Sequence, residues 1–257
     1  MNTNKIKDIT LGLIDTFLSA GNLALELRKK GLKKIIKPDN TPVTNADIEV
    51  NNILINKISS LTPEIPIISE ETSLNKKIKN LKNFWLIDPI DGTFDYINNK
   101  DEFTLNAALI INNKPCLGII NAPDKNRLFY SYGPSNSFEL IDKRPKRLAN
   151  KRKNNVDTIK AVSYSNNLKP EILKFHKKFK VGNYKKMKSS LKFCVVAAGE
   201  FDLYITEPRA CEWDIAAGHA ILKHAGGDVT DFDGNEILYG KKDFKNPSLI
   251  LKSKSIL

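Results

Sequence analysis

In the stretch Trp85-Leu-Ile-Asp-Pro-Ile-Asp-Gly-Thr93 an apolar run meets two aspartates three residues apart, then a glycine and a threonine. Carboxylates held close together repel one another unless a cation or a basic group is near. Asp88, Asp91 and the Ile90 carbonyl between them make three hard oxygen donors in one tight turn. Such a set suits Mg²⁺ rather than zinc, because no histidine or cysteine stands nearby. Pro89 is expected to force the chain out of the sheet, so that a strand ends at Asp88. A short helix is expected to start at Gly92 and Thr93, and its unpaired first-turn N–H groups would bind phosphate. Cations held by carboxylates, beside an anion held by amides, is an arrangement for phosphate-ester chemistry. The plain alternative is a strand turn with aspartate capping.

Three more acidic places bear on that choice. Glu70 and Glu71 follow the Ile-Pro-Ile-Ile-Ser69 strand directly, where adjacent carboxylates need a counter-charge or open solvent. Asp214, after Trp213, opens a helix with an apolar face, a position at which aspartate often serves as a plain N-cap. Thr44-Asn45-Ala46-Asp47 has the pattern of a capping box, in which Asp47 satisfies a helix start. His176, His219 and His224 have no nucleophile or metal motif beside them and read as packing or helix-surface residues. Cys116, Cys194 and Cys211 are odd in number, far apart and without C-x-x-C spacing, so neither a disulfide framework nor a zinc site is expected.

The elements that must hold these residues can be read from periodicity. A first helix is expected from Asp8 to Lys30, with Gly31 as its stop. Leu32 to Thr44 reads as an exposed hairpin, followed by an amphipathic helix with Val50, Ile53, Leu54 and Ile58 on one face. Strands follow in IPIIS and FWLID, then a meander in FTLNAALII, PCLGIINAP and RLFYSY, separated by NNK and DKN turns. The second half alternates a strand in AVSYS, a helix near Lys169 to Phe179, a helix in SSLKFCVVAAGEF, a strand in DLYIT, a helix in WDIAAGHAILKHAGG and closing strands in DVTDFDG and SLIL. Two subdomains are expected, 1–140 and 156–257, joined by a basic connection at 141–155.

Of 257 residues, 41% are hydrophobic, enough for real cores. No stretch of eighteen apolar residues exists and the N-terminus carries no small-residue cleavage site, so the reading is a folded cytoplasmic protein without a membrane span. The net charge of +12 is spread along the chain as abundant lysine, except in Ile141 to Asn155, where seven basic residues face one acid. That stretch reads as an exposed connection, with nucleic-acid contact through residues 143–153 as the alternative.

These pieces together resemble the inositol monophosphatase superfamily of metal-dependent, lithium-sensitive phosphatases. The first signature looks like Trp85 to Thr93, the acidic pair like Glu70-Glu71, and the second signature like Trp213-Asp214-Ile-Ala-Ala-Gly with Ala225-Gly226-Gly227. Within it, Pro42 to Asp47, Glu102-Phe103-Thr104 and Ser189 to Cys194 look like the 3′(2′),5′-bisphosphate nucleotidase branch. The resemblance implies an α/β (α+β) fold, the layered α-β-α-β-α sandwich of the metal-dependent sugar phosphatases. It also implies hydrolysis of adenosine 3′,5′-bisphosphate to AMP and phosphate, with two or three Mg²⁺ ions per site. Carried over residue by residue, Glu70, Asp88 and the Ile90 carbonyl hold one Mg²⁺, while Asp88, Asp91 and Asp214 hold a second. Asp47 and Thr93 form the catalytic pair and Glu71 stands behind the ligands. Glu70, Ile90, Asp91, Gly92, Thr93, Ser190, Lys192 and Asp214 face the substrate.

The sequence departs from the branch pattern at four places. Tyr164 and Asn166 stand where nucleotidases often carry Arg and His, and Lys188 and Asp101 each replace a glycine. An inositol monophosphatase or broader sugar-phosphate phosphatase is the alternative enzyme. Monomer and homodimer are both open.

Overall fold

A computed structural model describes residues 1–37, 41–72, 80–148 and 158–257. In chain order the elements are α1 (Thr3–Lys30), β1 (Lys34–Ile36), β2 (Pro42–Thr44), α2 (Asn45–Leu61), β3 (Ile67–Ser69), β4 (Phe84–Asp91), α3 (Thr93–Ile97), β5 (Thr104–Ile111) and β6 (Lys114–Ala122). They continue with β7 (Arg127–Ser131), β8 (Ser137–Ile141), β9 (Arg144–Arg147), β10 (Ile159–Ser163), α4 (Pro170–Lys178), β11 (Val181–Lys186), α5 (Leu191–Ala197), β12 (Leu203–Thr206), α6 (Glu212–His224), β13 (Asp228–Thr230) and β14 (Leu249–Lys252).

Two sheets organise the molecule. One has seven strands in the order β3-β4-β5-β6-β7-β8-β9 and the other five, β11-β10-β12-β14-β13. The seven-stranded sheet is antiparallel apart from the β3–β4 pair. Its central strands are apolar on both faces, and alternation sends successive side chains to two different cores. Trp85, Ile87, Leu109 and Ile119 meet Leu13, Phe17, Leu54 and Ile58 of α1 and α2. Leu86, Ile110 and Ile120 instead meet Phe193 of α5 and Ala217 and Ile221 of α6, a core that continues to Val162, Tyr204 and Leu251 of the five-stranded sheet. Ile172 of α4 closes the outer face of that sheet against Ala161, Leu203 and Ile250. The layering is therefore α-β-α-β-α. All seven residues of α5 are buried, as expected of a helix with a sheet on either side.

Several elements depart from the periodicity reading. α1 begins at Thr3, five residues before the expected start, because Asn2 caps it by accepting from the Lys5 N–H at 2.9 Å. β4 does not end at Asp88 but runs through Pro89 to Asp91 with a break in register. The basic stretch at 141–155 is not simply a connection. Ile141 ends β8, Asp142 and Lys143 make a left-handed turn with φ of 48° and 60°, and Arg144–Arg147 forms the exposed edge strand. Charge and a proline on an edge discourage pairing with another sheet. Residues 149–155 of that stretch lie outside the described residues, as does 38–40 at the tip of the expected first hairpin. β8, β9 and β11 have no counterpart in the sequence reading: β9 and β11 are largely exposed, and the residues that β8 buries, Ser137 and Glu139, are polar, so none carries a clear apolar alternation.

α6 lies so close to β6 that a Cβ on Gly118 would stand 2.3 Å from the Ala217 carbonyl oxygen and 3.0 Å from the Ala220 methyl. Glycine is required there for close approach rather than for a turn. Gly118→Ala should therefore lower stability by about 1–3 kcal/mol, the usual cost of overpacking a tight interior, read as a reduced urea midpoint at unchanged slope. A midpoint equal to that of the unmodified protein would show that α6 can move away freely.

Candidate active site

Residues three apart on a regular strand point to opposite faces, so Asp88 and Asp91 could not act together on an unbroken β4. Asp88 pairs with Asn106 and Asp91 with Thr104, which leaves two residues of β4 opposite one of β5. This is a β-bulge, placed at Pro89-Ile90, and it re-aims Asp91. The proline that was expected to end the strand is accommodated there. The Ile90 N–H donates to Asp88 Oδ1 at 3.1 Å, while the Ile90 carbonyl accepts from the Thr93 hydroxyl at 2.9 Å. Gly92 follows with φ 91°, a left-handed conformation that lets the chain turn into α3.

Two helices bring in their aspartates by the same device. Asp47 is the third residue of α2 and Asp214 the third of α6. Asp47 Oδ2 accepts from the Thr44 N–H at 2.7 Å and the Thr44 hydroxyl at 2.6 Å. Asp214 Oδ2 accepts from the Cys211 N–H at 2.7 Å, so Cys211 and not Asp214 is the N-cap residue. In each case one carboxylate oxygen secures the helix start. Asp47 Oδ1 accepts from the Thr93 hydroxyl at 3.2 Å. Glu70 arrives from the end of β3, its N–H donating to the Ile87 carbonyl at 3.0 Å.

Glu70, Asp88 and Asp214 each offer a carboxylate oxygen, and these lie within 4.8 Å of one another. Burial pushes the Asp88 carboxyl well above the usual carboxylate range, and the charges of Glu70, Asp91, Asp214 and Asp47 push it further. Asp214 is raised well above its ordinary value by burial, then by Asp91 and Glu70. Glu70 is raised by burial and by Glu71 and Asp91, against the opposing pull of Lys37. Lys37 Nζ stands 2.8 Å from Glu71 and 3.4 Å from Glu70. Crowded oxygen donors with excess negative charge fit a hard divalent cation, and Mg²⁺ is the ion that this donor set suits.

Beside the acidic group opens a cleft of about 230 Å³ whose wall includes Asp91, Gly92, Asp214, Tyr164, Lys192 and Arg209. Lys192 is buried in that wall, its ammonium donating to the Ser189 carbonyl. Burial lowers its pKa to about 8. The Arg209 guanidinium lies 4.0 Å from the Tyr164 ring centroid. The Tyr164 hydroxyl donates to Glu207 at 2.8 Å, and Lys169 pairs with Glu207 at 3.1 Å.

Sequence reasoning passed over Arg209, Lys37 and Asn106. Arg209 belongs to no motif, and Lys37 comes near Glu70 only through the β1–β2 hairpin. Asn106 was legible in principle, because the meander register sets it opposite Asp88. Ser190 lines the cleft as expected, but its hydroxyl is engaged with Asp91, Asn106 and the Asp214 backbone rather than left free for a ligand. The two positions where a glycine was expected need none, since neither Lys188 nor Asp101 is among the residues with positive φ. The Lys188 N–H donates to Glu102 at 3.0 Å and Asp101 pairs with Lys125. Asn166 lends its carbonyl to the Tyr184 hydroxyl at 2.8 Å.

A five-layered sandwich with a carboxylate cluster at the strand and helix ends beside a cationic cleft defines a phosphatase of the metal-dependent kind. The family model for inositol monophosphatases matches residues 8–256, and the chain belongs to that family. It is 39% identical over 227 residues to the 3′(2′),5′-bisphosphate nucleotidase CysQ of Buchnera aphidicola, covering 86% of this chain and 83% of that one. The protein of the same name in Escherichia coli is 34% identical over 229 residues, covering 85% of this chain and 88% of its own. The crystal structure of CysQ from Bacteroides thetaiotaomicron superposes with a TM-score of 0.76 at 31% identity, over 95% of this chain and 97% of that one. No helix among the described residues is long and apolar enough to cross a membrane.

The charge crowding makes a prediction for protein freed of divalent ions with EDTA. Asp88 and Asp214 hold protons in the folded state at pH values where the unfolded chain, with ordinary carboxyls near 3.8, has lost them. Folding then takes up protons, so stability falls as pH rises from about 4 through the raised folded values. Asp88→Asn should flatten this dependence and raise the melting temperature of the EDTA-treated protein at pH 7.5 by several degrees, at about 2–4 °C per kcal/mol. It should also abolish the gain in melting temperature on adding Mg²⁺. A variant less stable in EDTA than the unmodified protein would mean that Asp88 is held by favourable contacts instead.

Proposed function

We propose that this chain is a cytoplasmic, Mg²⁺-dependent phosphomonoesterase that removes the 3′-phosphate of adenosine 3′,5′-bisphosphate, yielding AMP and inorganic phosphate. The observation that carries the reading is a cleft that opens beside the Glu70-Asp88-Asp214 group, with Asp214 and two cations, Lys192 and Arg209, in its wall. Among the described residues Arg209 has no carboxylate partner within ion-pair distance, and Lys192 donates only to a backbone carbonyl. An ester with one reacting phosphate and a second, remote anionic group matches that distribution of charge. The nucleotidase names of the relatives at 34–39% identity agree with it.

Glu70, Asp88 and the Ile90 carbonyl would hold one Mg²⁺, and Asp88, Asp91 and Asp214 another, so that Asp88 is shared. When bound, these ions neutralise phosphate charge and acidify the attacking water. The chain itself handles the proton. The Thr93 hydroxyl has one hydrogen, which it donates toward Asp47 Oδ1 or the Ile90 carbonyl. Its lone pairs stay available to a water on the phosphate side. Asp47 Oδ2 is already occupied twice by Thr44, which leaves Oδ1 as the basic atom. Burial raises the Asp47 carboxyl, and a more basic carboxylate is the better proton acceptor. Water gives its proton to Thr93 as Thr93 passes its own to Asp47, the water oxygen bonds to phosphorus, and the P–O3′ bond breaks; the leaving 3′ oxygen takes a proton from solvent water, and Asp47 returns its proton to solvent to complete the cycle. Gly92 and Thr93 N–H groups at the start of α3 receive the phosphate oxygens. Glu71, paired with Lys37, stays behind the ligands. Lys192 and Arg209 receive the 5′-phosphate.

Asp47 and Thr93 share one step, so their effects should not multiply. Asp47→Asn and Thr93→Ala are each expected to lower kcat by about a hundredfold, within the usual range for proton-transfer groups, and the double variant should fall little further. Losses that multiply in steady-state kinetics would assign Asp47 to capping alone.

The substrate is tested by phosphate release with Mg²⁺ from adenosine 3′,5′-bisphosphate, inositol 1-phosphate, fructose 1,6-bisphosphate and AMP. The bisphosphate nucleotide is expected to exceed inositol 1-phosphate in kcat/KM by at least about tenfold, the worth of one charge-assisted contact. Lys192→Ala should remove that advantage while sparing inositol 1-phosphate turnover. In the unmodified protein the advantage should shrink above pH 8, since Lys192 loses its charge there. Equal or better hydrolysis of inositol 1-phosphate would favour the inositol reading of the same metal site.

A further inference from the structure

Ser190 precedes α5, is 2% exposed, and sits where four elements converge. Its N–H donates to Asp91 Oδ2 at 2.5 Å and its hydroxyl approaches the same oxygen at 2.6 Å. The hydroxyl oxygen lies 2.7 Å from the Asp214 carbonyl and accepts from Asn106 Nδ2 at 2.9 Å. One side chain therefore touches the bulged end of β4, the start of α6 and the strand β5, all at the acidic group.

We propose that Ser190 is a positioning residue for the cation site, acting through Asp91 rather than through the substrate. The inference rests on the reading of Asp91 and Asp214 as cation ligands. Two donors from Ser190 converge on Asp91 Oδ2, which fixes the carboxylate plane and leaves Oδ1 as the oxygen to present to a cation. The bulge gives Asp91 its direction but not its rotation about the side-chain bonds. Asn106, set opposite Asp88 by the β4–β5 register, holds the hydroxyl from the other side. Because a hydroxyl has a single proton, Asp91 and the Asp214 carbonyl compete for it, and the geometry of the two aspartates is linked through that one group. Nothing in this arrangement leaves the hydroxyl free to greet a nucleotide, the role that the sequence suggested for it.

Groups that orient a ligand from behind usually change metal affinity or activity by about 10–100-fold when removed. Ser190→Ala keeps the N–H bond to Asp91 and deletes only the hydroxyl. By calorimetry on the EDTA-treated, dialysed full chain, its Mg²⁺ dissociation constant should rise about tenfold or more, and the Mg²⁺ concentration for half-maximal turnover should rise in parallel. KM for adenosine 3′,5′-bisphosphate at saturating Mg²⁺ should change by less than about twofold. Asn106→Ala, which removes the partner that steadies the hydroxyl, should shift Mg²⁺ binding in the same direction by about threefold. Unchanged Mg²⁺ binding in Ser190→Ala overturns the proposal, as does a selective rise in nucleotide KM, which would place the hydroxyl on the substrate. A fall in the EDTA melting temperature with Mg²⁺ affinity intact would make the cluster purely architectural. Wild-type turnover of the bisphosphate, measured alongside, separates this outcome from the substrate reading: Mg²⁺ binding without nucleotide hydrolysis defeats the latter alone.

Discussion

Mutual repulsion among carboxylates is the constraint around which this molecule is arranged. Asp47, Asp88, Asp91, Asp214 and Glu70 come from four separate elements, two of them helix starts, and Asp88, Asp214 and Glu70 each feel the charge of others in the set. An assembly of like charges cannot hold itself together. It has to be imposed by something stronger, and here that is the burial of both faces of the seven-stranded sheet, with α1 and α2 on one side and α5 and α6 on the other. Tens of apolar side chains, each worth about 1.5–3 kcal/mol when fully buried, can carry a local electrostatic cost of a few kcal/mol. The chain also supplies a counter-charge of its own, Lys37, at the edge of the group.

Two local devices make the imposed geometry possible. The bulge at Pro89-Ile90 changes the facing of Asp91 by adding one residue to β4. The third position of a helix lets Asp47 and Asp214 each divide its two oxygens between a backbone N–H and the site. Capping and chemistry are thus not competing explanations for these two residues. The capping bond is what holds the carboxylate still.

Much of this was legible in the residues. The double-aspartate turn, the acidic pair after β3 and the apolar helix after Trp213 each carry a local pattern, and together they pointed to the family and to the layered fold. The long apolar strands and the strongly periodic helices α1, α2 and α6 were recoverable for the same reason: their partners lie on both sides or along one whole face. What escaped was non-local or only weakly patterned. β9 and β11 are exposed edge strands whose side chains need not alternate. The continuation of β4 past Pro89 depends on β5 accepting a register break, which no window around the proline records. Arg209 and Lys37 gain meaning only when distant segments fold beside Asp91 and Glu70. Ser190 had the correct neighbourhood but a different set of partners, because a hydroxyl declares neither its donor nor its acceptor in sequence.

The shared inner core has a consequence for how the chain is made. α6 packs on β4, β5 and β6, strands that lie about a hundred residues earlier. During synthesis from the N-terminus at roughly 5–20 residues per second, the seven strands can pair and receive α1 and α2 well before α6 leaves the ribosome. For that interval the opposite sheet face, with Leu86, Ala108, Ile110, Ile120 and Phe129, has no cover. A nascent chain in this state presents a flat apolar surface, and such surfaces recruit chaperones or one another. The same helix that delivers Asp214 therefore ends the most aggregation-prone stage of the protein's life.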